Sequence, residues 1–170
     1  LMIMMNFRIV YRSIGEAVRN FSRNIYYITP LRASAQRYYR FQGLDVKQVD
    51  AQGQNLAMFF KNLSSLERRN FNNWLNSNFN IELDVPSDGG HLSLKLKQPS
   101  TNQSFNLIDM GVGFSQVMPI LIQLWSIIYK KRKVHSSNQT YPLIYAIEQP
   151  ELHLHPKLQA KLADIFMLAV

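Results

Sequence analysis

The chain has 170 residues, of which 46% are hydrophobic and 18% charged, so it holds enough apolar material for a packed core. It contains no cysteine, which excludes disulfide scaffolds, thiolate metal sites and cysteine nucleophiles. The net charge of +8 favours either a polyanionic partner, such as a nucleotide or nucleic acid, or an ordinary basic surface. None of the 7 glycines forms a GxxxxGK(S/T) phosphate loop.

The first half of the chain predicts helices around one short strand. Residues 6–24 form an amphipathic helix or a poorly ordered lead-in, and residues 25–28 form a buried strand. Residues 43–53 form a polar loop, and residues 55–63 form a helix. Ser64 and Glu67 then fit a capping box that opens a further helix, whose apolar face carries Phe71, Trp74, Leu75 and Phe79.

The next segment alternates apolar and polar residues on both sides of a turn. Residues 81–85 and 92–96 predict a β-hairpin with one solvated face, closed by the turn residues 86–90. Residues 105–108 form a third strand or a lead-in to the next element.

The last third predicts a long helix, a strand and a final helix. The long helix covers about residues 115–131, and its apolar run 117–129 is too short to span a bilayer. Residues 136–139 form a loop, and the continuous apolar run 143–147 is typical of a strand buried on both faces. Pro156 opens the final helix at a favoured first-turn position.

The strand at residues 143–147 ends in an acid, Glu148. Ligands of α/β folds bind at the carboxyl ends of such strands, and in nucleotide-hydrolysing folds an acid there holds magnesium. A solvated glutamate at a strand end is the alternative interpretation.

Glu148 begins the stretch Glu-Gln-Pro-Glu-Leu-His-Leu-His-Pro, which ends at Pro156. This stretch resembles the Walker B and D-loop region of ABC-type AAA ATPases, in the predicted branch related to the OLD and RecF families. Residues 27–32, 49–57 and 109–121 resemble further blocks of the same branch. The resemblance implies an α/β P-loop NTPase fold, here an incomplete ABC-type ATPase head with an inserted helical and β-hairpin region.

The resemblance implies ATP and Mg²⁺ as cofactors, with Glu148 holding the magnesium ion. Gln149 stands where many relatives place the general-base glutamate. A glutamine cannot take a proton from water but can orient it, so either hydrolysis is slow or Glu151 or another group substitutes. The resemblance places His153 and His155 in the D-loop, and a zinc site built on these two histidines is a weaker alternative.

Residues 109–119 resemble the ABC signature loop, which meets nucleotide across the interface between two heads. Gly111, Gly113, Ser115 and Gln116 are therefore candidate nucleotide-binding residues, because bare backbone N–H groups at a helix start favour anions. The usual Leu-Ser-Gly-Gly-Gln order is absent, which leaves open which hydroxyl meets the γ-phosphate. A simple helix-capping loop is the alternative.

Residues 31–40 interleave Arg32, Arg37 and Arg40 with Tyr38 and Tyr39. Arginines and exposed aromatic rings bind nucleic acid through phosphate pairing and base stacking. A helix face with arginines that extend toward solvent accounts for the same pattern.

The sequence therefore predicts that residues 1–170 are the carboxyl-terminal part of an ABC-type AAA ATPase domain without its Walker A segment. The signature-like loop covers 109–119, and the Walker B and D-loop region covers 143–156. The expected function is Mg-ATP-driven dimerisation of heads that controls a larger assembly in phage defence or DNA repair. Alternatively, the chain is a nucleic-acid-binding or scaffold module with a vestigial nucleotide site.

The same interpretation sets the expected partners and location. It predicts a cytoplasmic homo-oligomer formed through ATPase heads, with a nuclease or toxin effector and DNA or RNA as candidate partners and no membrane. Without a phosphate loop, this chain alone is expected not to hydrolyse ATP.

Overall fold

A computed structural model describes residues 2–134 and 143–169 of the chain. Five α-helices and eight short strands are assigned within these ranges, together with a 3₁₀ turn at Leu107–Met110. The helices are α1 (Met2–Arg23), α2 (Leu56–Asn62), α3 (Ser65–Phe79), α4 (Val112–Val134) and α5 (Pro156–Ala169). The strands are β1 (Ile25–Ile28), β2 (Tyr39–Arg40), β3 (Glu82–Asp84), β4 (Ser87–Asp88), β5 (His91–Leu92), β6 (Lys95–Gln98), β7 (Gln103–Asn106) and β8 (Ile144–Ile147).

Three small sheets organise the strands. β1 and β8 form a parallel pair in which Ile25 lies opposite Ile144 and Ile28 opposite Ile147. The other two sheets are antiparallel, with strand orders β2-β5-β4 and β3-β6-β7. The described structure is therefore mixed α/β, with its only parallel pair at the strand that precedes Glu148.

The strand β8 was predicted to be buried on both faces, and this prediction is wrong for the described structure. Ile144 is 40% exposed, and Ala146 is also exposed. Exposure alternates along β8, because Tyr145 and Ile147 pack against the core on one face while Ile144 and Ala146 lie on the uncovered face.

The predicted hairpin forms, but its ladder is shorter than the sequence pattern indicates. β3 pairs with β6, with Leu83 opposite Leu96. Leu92, predicted in the same ladder, instead pairs with Tyr39 and Ser87 in the other antiparallel sheet. Of the predicted turn residues 86–90, Ser87 and Asp88 form β4 and residues 89–90 turn into β5, since the chain leaves the first sheet after Asp84 and returns to it at Lys95.

The helix α4 crosses the core. Most of its residues from Ser115 to Ile127 are buried, and the Trp125 ring meets Phe71 of α3 edge-on at 5.3 Å between centroids. Phe71 also packs edge-on against Phe60 of α2 at 5.7 Å. The predicted capping box at the start of α3 is confirmed, since Ser64 and Glu67 exchange both hydrogen bonds.

The helix α4 also corrects one prediction. It begins at Val112 rather than near Ser115, so Gly113 and Ser115 lie inside its first turns. Its stretch Val112–Tyr129 is long and apolar enough to cross a membrane by length and composition alone, a test that core helices also pass. Some 72% of this stretch is buried inside the protein, as in the core helix of a globular domain.

The helix α1 confirms the predicted amphipathic helix but lies apart from the core. Its apolar side chains from Phe7 onward are exposed, including Phe7, Tyr11 and Ile14. None of its described side chains belongs to the buried core. The predicted loop at 136–139 lies outside the described residues.

Candidate functional site

Glu148 stands directly after the parallel strand pair. Its backbone N–H donates to the carbonyl of Ile28 at 3.1 Å, which extends the β1–β8 ladder by one residue. The side chain is exposed, and its Oε1 accepts a hydrogen bond from the Tyr27 hydroxyl at 2.6 Å. In the described part of the chain, no partner is recorded for Oε2. The carboxylate is thus oriented by one contact and keeps one oxygen open to solvent.

Tyr27 is a neighbour of Glu148 that sequence reasoning did not assign to the site. The hydrogen bond to Glu148 raises the pKa of its phenol, because the carboxylate accepts from the neutral form and repels the phenolate. The signal available in the sequence was its place in a block resembling the same ATPase branch, two residues before Thr29. Pairing of β1 with β8 is needed to bring it to Glu148.

The segment after Glu148 folds into tight turns. Gln149 (φ 44°) and His153 (φ 63°) adopt left-handed backbone conformations, which are uncommon for residues other than glycine. Backbone hydrogen bonds from Leu152 N–H to Gln149 O and from Leu154 N–H to Glu151 O hold these turns at 3.2 and 3.0 Å. Strained backbone of this kind is concentrated at functional sites.

The polar side chains of this segment face solvent. Gln149, Glu151, His153 and His155 are all exposed, whereas Leu154 between the histidines is buried and anchors the turn. His155 Nδ1 accepts from the Lys157 N–H at 3.3 Å, at the start of α5. Among the described residues, no group of three or more histidine, aspartate or glutamate side chains is placed to hold a metal ion, so nothing here adds a third ligand to the two histidines.

The start of α4 lies against this segment. Gly111 is exposed with φ 87°, and Gly113 lies in the first turn, where an added Cβ would stand 3.0 Å from the carbonyl oxygen of His153. The structure therefore brings the signature-like loop and the D-loop-like segment together within one chain. A Cβ at Gly113 would press on the His153 carbonyl more tightly than an ordinary contact.

Ser115 and Gln116 point into the protein. The Ser115 hydroxyl donates to the carbonyl of Val112 at 2.8 Å, and the Gln116 Nε2 donates to the carbonyl of Arg32 at 3.1 Å. Both residues are buried, at 7% and 5% exposure. In this arrangement the outward-facing part of the signature-like loop is its glycine backbone, not these two side chains.

Arg32 is the second neighbour of Glu148 that sequence reasoning did not assign to the nucleotide site. It is only 5% exposed, and its guanidinium donates to backbone carbonyls of Thr29, Glu148 and Gln149 at 3.3, 3.4 and 3.2 Å. Burial lowers the pKa of this guanidinium, while Tyr145 and Glu151 act in the opposite direction.

The arginine-tyrosine segment is not a helix, so the alternative of an arginine-lined helix face is wrong. Arg32 is buried, and Arg37 forms a bidentate ion pair with Asp109 at 2.6 and 3.2 Å. Tyr39 is partly buried, and its hydroxyl accepts from the Gln36 N–H. Tyr38, which is 63% exposed, and Arg40 remain at the surface.

The candidate site lies on an open surface rather than in a cavity. A groove of about 860 Å³ runs between the segment 33–58 and α4, and Ser115 and Pro119 are among the residues that line it. Glu148 is not among them. An exposed acid at a strand end, beside a glycine-containing helix start, is the arrangement expected of a site completed by phosphate groups.

Comparison with known proteins identifies the class that this geometry suggests. A family model described as an AAA ATPase domain matches residues 32–170. The chain therefore belongs to the AAA ATPase domain family, whose members are P-loop nucleotide hydrolases that typically use magnesium. Searches of characterised proteins and of solved structures found no significant match.

Proposed function

We propose that this chain contributes the Walker B half of a Mg-ATP site in an ABC-type head of the OLD and RecF branch. The observation that carries the proposal is Glu148, which stands exposed at the carboxyl end of the parallel pair, with Tyr27 holding one carboxylate oxygen. Membership of the AAA ATPase family supplies the class of reaction. We place Glu148 as the magnesium-binding acid.

The donor set around Glu148 fits magnesium. Mg²⁺ keeps several waters and is bound through one or two carboxylates plus substrate phosphates, rather than by a cage of protein ligands. One carboxylate with an open oxygen meets that requirement. Magnesium bound there would neutralise charge on the β- and γ-phosphates of ATP.

Gln149 follows Glu148 and has an exposed side chain. Its amide can donate to and accept from a water molecule but cannot remove its proton. Gln149 therefore orients the attacking water, and the exposed Glu151 two residues later is the candidate proton acceptor. His153 and His155 present their rings to solvent at the D-loop position, where a second head would approach.

The start of α4 supplies the signature surface. We assign phosphate contact to the backbone of Gly111 and Gly113, because bare N–H groups and the helix dipole favour anions. Ser115 and Gln116 support this surface from inside through their hydrogen bonds to Val112 and Arg32.

Dimerisation of two such heads would complete both nucleotide sites and switch a larger cytoplasmic assembly. By analogy with the branch, that assembly acts in phage defence or DNA repair and includes a nuclease or toxin effector. DNA or RNA is a candidate partner, and Tyr38 and Arg40 are the exposed members of the arginine-tyrosine segment.

The test is Mg-dependent ATP turnover by the intact protein carrying Glu148→Gln. This variant removes the charge that attracts magnesium but keeps a similar shape. We expect turnover to fall by about a hundredfold or more, as removal of a group that organises transition-state charge does.

The matched control is Asp45→Asn, which removes an exposed carboxylate that, among the described residues, forms an ion pair only with the surface side chain of Lys47. Such pairs contribute little, so turnover and melting temperature should stay at the wild-type values. Wild-type turnover in Glu148→Gln would contradict the assignment of Glu148.

A further inference from the structure

The buried guanidinium of Arg32 lies where the two halves of the candidate site meet. Arg32 lies in the loop after β1, and its guanidinium donates to the carbonyls of Glu148 and Gln149, the two residues that follow β8. Gln149, whose carbonyl accepts the second of these hydrogen bonds, has a left-handed backbone with φ 44°. The turn that carries the acid is thus held by a buried side chain from the loop that follows β1.

Burying an arginine is costly unless its charge is compensated. Within the described ranges no carboxylate forms an ion pair with Arg32, and its Nε has no hydrogen-bond partner. Its recorded partners are backbone carbonyls of Thr29, Glu148 and Gln149, grouped at the end of the parallel pair. The buried guanidinium therefore donates to backbone carbonyls at the functional turn, and these hydrogen bonds fix the geometry of that turn.

The start of α4 is attached to the same arginine. Gln116 Nε2 donates to the Arg32 carbonyl, and this contact is fully buried. One helical turn earlier, Gly113 stands against the carbonyl of His153. The helix start therefore contacts the 148–153 segment in two places, through Arg32 and directly.

We propose that Arg32 is a positioning residue that sets the Glu148–Gln149 turn, and that Gln116 connects this turn to the start of α4. A shift of α4 when its glycine backbone meets nucleotide would then move Arg32, and with it the acid and the water-orienting amide. This inference rests on the proposed function for its catalytic consequence. The geometric claim about the turn stands without it.

The first experiment compares ATP turnover of the intact wild-type protein with Arg32→Lys and Gln116→Glu. Lysine keeps the charge but cannot donate as a fork to two carbonyls, and glutamate cannot donate to the Arg32 carbonyl. We expect kcat to fall by about ten- to a hundredfold in Arg32→Lys and by less in Gln116→Glu, as for misplacement of catalytic groups. KM for ATP should change less than threefold.

The second experiment does not depend on turnover. In protein labelled with ¹³C at the tyrosine ring carbon that bears the hydroxyl, the Tyr27 signal reports its hydrogen bond with Glu148 and is assigned by its loss in Tyr27→Phe. Both Arg32→Lys and Gln116→Glu should shift this signal. The exposed Arg69→Lys on α3 is the matched control and should leave signal and turnover unchanged.

The two readouts separate the possible failures. If wild-type protein shows no Mg-dependent turnover, the proposed function fails, while a shifted Tyr27 signal in both variants still supports the positioning role. If Arg32→Lys does not fold, the Tyr27 signal of Gln116→Glu alone tests the positioning role. A Tyr27 signal at its wild-type position in the folded variants, with kcat within twofold of wild type, would overturn the inference.

Discussion

Two single contacts define the candidate site at the scale of residues. Tyr27 orients the Glu148 carboxylate, and Arg32 holds the carbonyls on either side of the Glu148–Gln149 bond. The sequence identified Glu148 because an acid after an apolar strand is a local pattern. It did not identify its partners, since Tyr27 and Arg32 are separated from Glu148 by 121 and 116 positions.

The Tyr27–Glu148 hydrogen bond predicts the titration of one tyrosine. Because the carboxylate raises the pKa of the Tyr27 phenol, the neutral phenol and its hydrogen bond persist at neutral pH. They should be lost only as pH rises above the ordinary tyrosine value of about 10. ¹³C NMR of labelled tyrosine should show the Tyr27 signal titrating above that value.

The variant Glu148→Gln tests the direction of this pKa shift, because it removes the carboxylate charge. Its Tyr27 signal should titrate at lower pH than in wild type, closer to an ordinary tyrosine. An unchanged midpoint would mean that Glu148 does not accept this hydrogen bond in solution.

At the scale of elements, the loop before α2 is fixed against α4 by a glycine. Gly53 has φ 77°, and an added Cβ would lie 2.4 Å from Cγ of Pro119. Asp50 caps this loop, accepting from the backbone N–H groups of Gln52, Gln54 and Asn55. The loop therefore depends on both a left-handed backbone and direct contact with the helix.

Gly53→Ala should destabilise the protein strongly. The left-handed conformation costs about 1–2 kcal/mol for an L-residue, and overpacking against Pro119 adds about 1–3 kcal/mol. We expect a loss of about 2–5 kcal/mol in the free energy of unfolding, measured by urea denaturation.

Gly89→Ala separates the two contributions. Gly89 also has positive φ, at 52°, but no atom lies within 4 Å of an added Cβ. Only the conformational cost of about 1–2 kcal/mol should appear. Equal losses in the two variants would show that the contact with Pro119 is not made.

At the scale of the whole molecule, the net charge of +8 does not by itself define a nucleic-acid surface. Two of the three clustered arginines already have partners within the same chain. Arg32 donates to backbone carbonyls, and Arg37 forms an ion pair with Asp109. The ATPase family match and the geometry around Glu148 are therefore stronger evidence for the function than the net charge is.

Salt and nucleotide dependence distinguish the two functional hypotheses. If the protein is a nucleic-acid module with a vestigial site, its DNA binding should fall steeply between 50 and 200 mM salt and should not change when ATP is added. Fluorescence anisotropy measures this binding. An ATP-driven head predicts that any nucleic-acid binding changes with Mg-ATP. Steep salt dependence together with indifference to ATP and no turnover would favour the vestigial module.

The sequence by itself determined the local features of this protein. Helices α2, α3 and α5, the strand before Glu148, and the capping box at Ser64 follow from patterns within a few residues of each other. Glu148 became a candidate in the same way, from an apolar run and its neighbours. Such features depend on periodicity, turn chemistry and end effects, all of which a linear pattern records.

The tertiary structure alone decided which side chains meet. It placed Tyr27 and Arg32 at Glu148, turned Ser115 and Gln116 inward, and moved Leu92 from the main hairpin into a ladder with Tyr39. It also left β8 partly exposed. These outcomes depend on strand pairing and on packing between distant segments, and no local pattern specifies the partner across such distances.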